Sequence, residues 1–491
     1  MSEASKTPSP SGRGLGVRAL VVASALATLL GCIPTLEENP ARDVSKAVPN
    51  AFRRDEPPEG GDAGTSVAQQ KWSEFFPSAE LQSLIKEALQ KNQELNITVQ
   101  EIVIAQNEVA ARRGEYLPKV GAGLTTGLEK VGGHTARGFA DKATGVPEHR
   151  GNFGSGLTAS REVDIWGKLR GAANAADFRY RASTEGRNFM VTQLVAEIAR
   201  SYFELVTLDG ELEVLKRNIT IQTDALEVVK AEKQAARVTQ LAVQRFEAEV
   251  LKNKSRLYDL EQERVQAENR INFLVGRYPQ PVARDAKPLT DPLPAMLSTG
   301  VPTELLANRP DVRKAELQLE AAKLDVKVAR TRFFPAFSIE AAVGYNSFSI
   351  THLVNTPESL LYNLAGNLIA PLINRAGIEA DYRSANARQI QAVFDYERTL
   401  LQAFTDVVNQ LVKYDNLQKS YALQSQQVEL LASSVDVSTT LFQSARADYM
   451  EVLLTRRDSL DAQLELIETR RRLLLSLVNI YQALGGGWRP E

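Results

Sequence analysis

The 491-residue sequence predicts a mainly α chain with a small β part, laid out twice along its length. Three observations carry that prediction. Helical periodicity persists over stretches far longer than a compact domain needs. Four runs of about ten residues instead alternate apolar with polar or glycine. Motifs of the first half also return in the second.

Composition narrows the function classes. The 58 Lys and Arg nearly balance 60 Asp and Glu, so no broad basic surface exists for nucleic acid. One cysteine, four Met and three His give no zinc or redox cluster and little for a soft-metal site. His134, His149 and His352 all fall in expected hairpin loops, without acidic partners at ligand spacing. No P-loop, GxSxG or HExxH occurs, so neither an enzyme, a metal centre nor a cofactor is expected.

The first element is a targeting segment, 1–31. Lys6, Arg13 and Arg18 precede the apolar run Ala19–Leu30. That run is too short to span a bilayer, which takes about 20 residues. No later stretch of that length is free of charge, so no transmembrane helix is expected. "LLGC" then resembles a bacterial lipobox, which implies cleavage before Cys32 and acylation of it. The competing reading of a lone cysteine at an apolar edge is a buried small hydrophobe. Ile33, rather than aspartate, follows the cysteine and favours outer-membrane sorting. Residues 32–70 are rich in Pro, Gly and mixed charge and read as an extended tether.

The first structural repeat spans 71–290. Apolar residues at helical spacing run from Leu81 to Ala105. Pro118 stops them and the period becomes two. Val120, Ala122, Leu124 and Leu128 alternate with Gly121, Gly123, Thr125 and Glu129. A loop at about 131–150 leads to a second alternating run, Phe153 to Ile165, closing a hairpin at about 118–166. Gly167 lets the chain turn into a helix from about 170 to 232, roughly 95 Å long. "KQAARVTQ" (233–240) is its break, and the five prolines in 277–300 end the helix pair.

The second repeat spans 291–491. "ALQKNQELN" parallels "LLANRPDVR", and "EYLPKVGAGL" parallels "RFFPAFSIEA", 217 positions apart. "INFLVG" parallels "IYQALG" at 209, so the second copy is eight residues shorter, most simply at the hairpin tip. Its hairpin falls at about 335–372, and its helices at about 376–442 and 449–483. Gly377 is expected to let strand turn into helix, as Gly167 does. In "ANRPDVRKAE", Pro310 suits the first helical position, with Asn308 or Arg309 as cap. "LGGGW" reads as a helix stop with close backbone approach.

Strands apolar on one face and polar on the other fit a membrane barrel. A bilayer forbids open sheet edges, and four strands cannot close a usable bore. The barrel must therefore be shared between chains. Two copies give eight strands and a filled interior; three give 12 and an open bore, which the small polar face favours. A soluble hairpin with one dry face is the alternative. Arg161 is the anomaly, since strict alternation points it at lipid near an interface. Tyr116, Phe333 and Phe334 at the helix-to-strand junctions, with Trp166 at a strand-to-helix exit, suit a membrane-interface girdle. Glu129, Glu162, Asp164 and Glu340 would make the bore acidic, opposed by Lys119.

Across almost all of the mature chain the sequence resembles the TolC family of outer-membrane efflux proteins, within it the lipoprotein channels of resistance-nodulation-division pumps. The resemblance rests on "NQELN", "EYLPKVGAG", "REVDIWGKLRGAANAA", "VPTELLANRPDVRKAE", "FFPAFSIEAAVGY", "APLINRAGIEA" and "YQALGGGW". It implies a homotrimer whose long helices form a periplasmic α-barrel below a 12-stranded transmembrane β-barrel. It also implies docking on a periplasmic adaptor and an inner-membrane pump, and residence in outer-membrane lipid. It places a gate in the turn "LFQSARADYMEVLL": Asp448 and Glu451 as an acidic constriction, Leu441 and Phe442 as an apolar plug, Arg446 as a link. Solvated helix ends are the competing reading. Relatives commonly carry glycine at these turns, where this chain has Ala236 and Ala445. The implied role is a passive efflux duct for drugs, other toxic compounds or metal ions. A type I protein secretion duct and a non-pore, lipid-anchored periplasmic scaffold are the alternatives.

Overall fold

The computed structural model of the chain describes residues 33–36, 49, 52, 66–292, 302–444 and 446–489. Cys32, the segment before it and Ala445 lie outside the described residues. The chain divides into two compact units. Ile104–Tyr180 and Leu317–Phe394 form one, which holds the sheet; Arg181–Glu316 and Asp395–Glu491, with Arg42–Val103, form the other, which is helical.

Short helices α1 (Trp72–Phe75) and α2 (Ala79–Lys91) lead into α3 (Gln93–Gly114). The expected single helix through Ala105 is thus two. Asn92, buried, divides them: its Oδ1 accepts from the Leu95 amide at 2.9 Å and its Nδ2 donates to the Leu274 carbonyl at 2.8 Å. A side chain that caps one helix and anchors to another offers the backbone a better alternative than continuing. The repeat has its own version 217 positions on. The Arg309 guanidinium donates to Asp311 at 2.6 Å and to the Ala483 carbonyl at 3.0 Å, just before α8 (Pro310–Thr331). Between α3 and α8 lie the long helices α5 (Lys168–Gln234) and α6 (Gln240–Val275), then the short α7 (Leu305–Asn308). Helices α9 (Ala376–Gln443) and α10 (Tyr449–Ala483) complete the second repeat.

Strands β1 (Lys119–Lys130), β2 (His149–Val163), β3 (Ala336–Ser347) and β4 (Leu360–Ile369) form one antiparallel sheet in the order β1-β2-β3-β4. β1 and β3 are equally long, 12 residues. The second copy is shorter in its hairpin: β4 has 10 residues against 15 in β2. The loop expected at 131–150 contains helix α4 (Ala136–Ala143), and His149 and Arg150 already belong to β2 rather than to the loop. Gly167 has φ +77°, as its turning role requires, but Gly377 is an ordinary residue inside α9. The left-handed residue before α9 is Asn374, at φ +58°.

The helical unit packs around Leu81, Ile85, Ile198, Leu205, Leu215 and Ile271. Two phenols in it meet polar partners, as buried tyrosines must. Tyr202 accepts from the Asp285 amide at 3.1 Å, and Tyr481 donates to the Gln70 carbonyl at 2.8 Å while stacking on Phe75. Gly485, at φ +90°, lies so close that a Cβ there would sit 2.5 Å from the Asn308 carbonyl oxygen. Trp488 donates to that same carbonyl at 3.0 Å. The glycine run is therefore a helix stop held against α7, as its composition suggested.

Candidate functional site: a two-faced sheet and two helix ends

Register decides what each face of the sheet presents. Val120, Ala159, Ala341 and Leu364 lie in one row across the four strands, and Ala122, Leu157, Val343 and Tyr362 in the next. Directly opposed residues in antiparallel strands share a face. The apolar positions of all four strands thus merge into one surface. It is open: Leu124 is 88% exposed and Leu364 76%. A contiguous apolar surface of this kind needs a nonaqueous partner. Strands β1 and β4 are the sheet's edges, each with one side unpaired within the chain.

The other face is polar and small. Gly121 opposes Thr158, Gly123 opposes Gly156, and Gly156 opposes Gly344. A Cβ on Gly344 would come within 2.3 Å of the Ser155 carbonyl, so the glycines here keep the strands close. Of the expected bore acids, three lie on this face and two of those are neutralised. Glu129 accepts from Arg150 at 2.9 Å and Arg137 at 3.2 Å, and Glu162 from Lys168 at 2.9 Å. Glu340 sits between Ser160 and Ala365 and has no ion pair among the described residues. Asp164 is not a bore residue. It lies past the end of β2 and caps α5, accepting from the Leu169 and Arg170 amides at 3.0 Å each. Burial raises its pKa, but these two amides and the Arg170 side chain outweigh that and leave it below the ordinary range.

Arg161 follows strict alternation onto the apolar face, opposite Ile339. The junction aromatics divide. Trp166 stacks on Phe334 at 4.8 Å and donates to the Pro335 carbonyl at 2.8 Å, and Tyr116 is half-buried. Phe333 is only 1% exposed and packs edge-on against Tyr382. It is a core residue of the sheet-bearing unit, not part of a girdle. Phe333 and Phe334 are adjacent residues just past the end of α8, and only the location of each ring's neighbour tells a core position from a surface one.

The two helix turns of the helical unit differ. At the first, Ala236 takes φ +59°, the conformation glycine would adopt without strain. Thr239 caps α6, accepting from the Ala242 amide at 3.4 Å. Leu226, Val229, Val243 and Phe246 close over the turn, with Tyr449 and Leu453 of α10 against them. At the second turn, Asp448 holds the N-cap position of α10; its carbonyl accepts from the Glu451 amide at 3.1 Å, but its side chain caps no amide. Arg446, Asp448 and Glu451 are exposed, and no ion pair joins them among the described residues; Leu441 and Phe442 are half-buried. The acids and apolar residues expected at a constriction thus gather at one end of α9 and α10, but the Arg446 link is not made within one chain.

A buried polar pair between α5 and α6 has no counterpart among the expectations above. Asn253 donates to Gln222 at 2.8 Å, the two being 1% and 2% exposed. Arg456 of α10 reaches the neighbouring Ile221 carbonyl at 3.5 Å, and Arg245 contacts the Met450 sulfur at 2.9 Å. The signal was present, since Asn253 falls on the apolar stripe of Phe246, Val250 and Leu260.

The model of a family described as "Outer membrane efflux protein" matches residues 84–277 and 301–486. The pyoverdine export outer membrane protein OpmQ of Pseudomonas aeruginosa is 30% identical over 431 residues, covering 87% of this chain and 90% of its own. The cation efflux system protein CusC of Escherichia coli O6:H1 is 26% identical over 430 residues, covering 85% and 88%. A crystal structure of CusC superposes with a TM-score of 0.78 at 24% identity, over 93% of this chain and all of that one, a likeness of fold.

Proposed function

We infer that this chain, which belongs to the outer membrane efflux protein family, is the passive outer-membrane channel of a tripartite efflux system. The observation that carries the reading is the sheet: one face apolar, in register and exposed, the other polar and glycine-lined, both edges open. Lipid is the solvent that suits the first face, and water the second. Open edges are satisfied when copies pair side by side, and three copies give 12 strands around a bore wide enough to stay wet. The long helices α5, α6, α9 and α10 continue the duct in the periplasm, toward an adaptor and an inner-membrane pump. Acylated Cys32 anchors the N-terminus at the periplasmic leaflet.

The turn at 444–448 is the gate. Three copies of Asp448 and Glu451 around one axis repel unless countered, and three copies of Leu441 and Phe442 exclude water. The uncommitted Arg446 serves a neighbouring copy. The cargo is small molecules; relatives named for pyoverdine and for cations support a duct whose selectivity is set by its pump. No catalytic residue takes part.

Purified protein in planar bilayers tests this. Trimers should conduct weakly, and Asp448→Ala with Glu451→Ala should raise conductance several-fold. A protein that sediments as a trimer yet forms no channel, with or without those substitutions, would sink the duct in favour of a scaffold.

A further inference from the structure

The sheet-bearing unit carries a groove of about 520 Å³ that the conduit does not use. It lies between the start of α5 and the end of α8. Trp166 and Phe334, stacked on each other, form one end. Arg170, Lys327 and Arg330 line it, with Asn174, and no aspartate or glutamate is among its described lining residues. Arg170 is already paired with Asp164 at 3.2 Å. Lys327 and Arg330 enter no ion pair among the described residues. Two cations therefore stand uncompensated in a concave site.

The arrangement is more than a helix terminus. Asp164 accepts from the Leu169 and Arg170 amides and the Gly167 carbonyl from the Gly171 amide, so the first turn of α5 is largely satisfied already. Basic residues in the last turn of α8 favour its dipole, but that needs neither a groove nor an aromatic end-wall. The indole is fixed by its bond to the Pro335 carbonyl. A Cβ on Gly171 would lie 2.7 Å from Val328 Cγ2, so close approach of the two helices forms the floor.

Depth gives the groove its meaning. β2 ends at Val163 and β3 begins at Ala336, and Val163 and Phe337 pair on the apolar face. Trp166 is three residues beyond one strand and Phe334 two before the other, within roughly 10 Å of the apolar band. Indoles and basic side chains gather at that level of a bilayer, and basic pockets there hold anionic head groups.

We propose that this groove binds the phosphate of an anionic phospholipid of the periplasmic leaflet, seated on Lys327 and Arg330 with its glycerol end against Trp166 and Phe334. The proposal rests on the reading of the apolar face as lipid-facing. The test is native mass spectrometry of the delipidated full-length protein in detergent, titrated with phosphatidylglycerol or with phosphatidylethanolamine. Wild type should retain phosphatidylglycerol preferentially. Lys327→Gln with Arg330→Gln should weaken retention about thirtyfold, and Lys327→Arg with Arg330→Lys should restore it. Equal retention by wild type and the double glutamine variant overturns the site. Displacement of the lipid by inorganic phosphate at matched concentration overturns the lipid assignment in favour of a soluble anion. Conductance of the same variants should be unchanged; a wild type that never conducts counts against the channel, while the lipid titration still decides the groove.

Discussion

Leu124 and Leu205 are the same residue in opposite circumstances: 88% exposed on the sheet and fully buried in the helical unit. The contrast holds for their surroundings. The helical unit hides Ile198, Leu215 and Ile271, as a protein in water does. The sheet displays Val120, Leu128, Tyr362 and Leu364. One chain is thus built for two solvents, and the boundary falls where strands become helices. Burial within the chain therefore marks the core of the helical unit but says nothing about what matters in the sheet, where the stabilising contacts are with lipid and with other copies.

Leu205→Ala should cost about 3 kcal/mol, read as a lower urea midpoint of the helical signal, whereas Leu124→Ala in detergent should barely move it. A similar loss at both sites would mean the sheet face is covered by protein. Leu124→Arg, near the middle of β1, should cost about 2 kcal/mol or more in a bilayer and reduce insertion of assembled protein. Normal insertion would mean that this face meets water.

Acidity sharpens the contrast within the helical unit. Burial, and then the nearby Glu468 charge, push the Glu211 carboxyl up to about 7 from the ordinary 4.5. The folded chain therefore keeps a proton that the unfolded chain has lost. The stability this contributes is complete below about pH 4.5 and lost as pH rises through about 7. Glu211→Gln should flatten the melting-temperature profile across that window, with strand signals unaffected; an unchanged profile would place the titrating group elsewhere. The smallest effect concerns the packed turn. Ala236→Gly relieves a left-handed alanine and should stabilise by about 1 kcal/mol or less, measured as a slightly higher denaturant midpoint. Destabilisation would show that the alanine methyl contributes packing there.

Much of this was legible because it is local. Period two against period 3.6 located the strands and the long helices: α10 runs Tyr449–Ala483, where apolar spacing placed it, and α9 begins at Ala376. Alternation alone identified the residues of the apolar rows, since neighbours in a strand must point to opposite faces. Legibility failed where a side chain's partner lies in another element. Asn92 breaks a helix because Leu274, 182 positions away, accepts its amide. Phe333 is interior because Tyr382 covers it, while its neighbour Phe334 stacks on Trp166 instead. Asp164 follows the alternation of β2, yet the amides of α5 claim it, because a carboxylate at a helix start is stabilised more than one in a sheet of small polar residues.

Spacing and composition alone settle the kind of each element, the repeat that doubles them and the two-faced character of the strands. These follow from backbone sterics and from which residues avoid water, both readable from spacing. The register that merges four apolar stripes into one surface, the pairing that neutralises Glu129 and Glu162, and the closeness of α5 and α8 that makes a groove of Trp166, Lys327 and Arg330 arise only in the folded chain. Each depends on distances between residues of different elements, and electrostatics and packing act only at those distances.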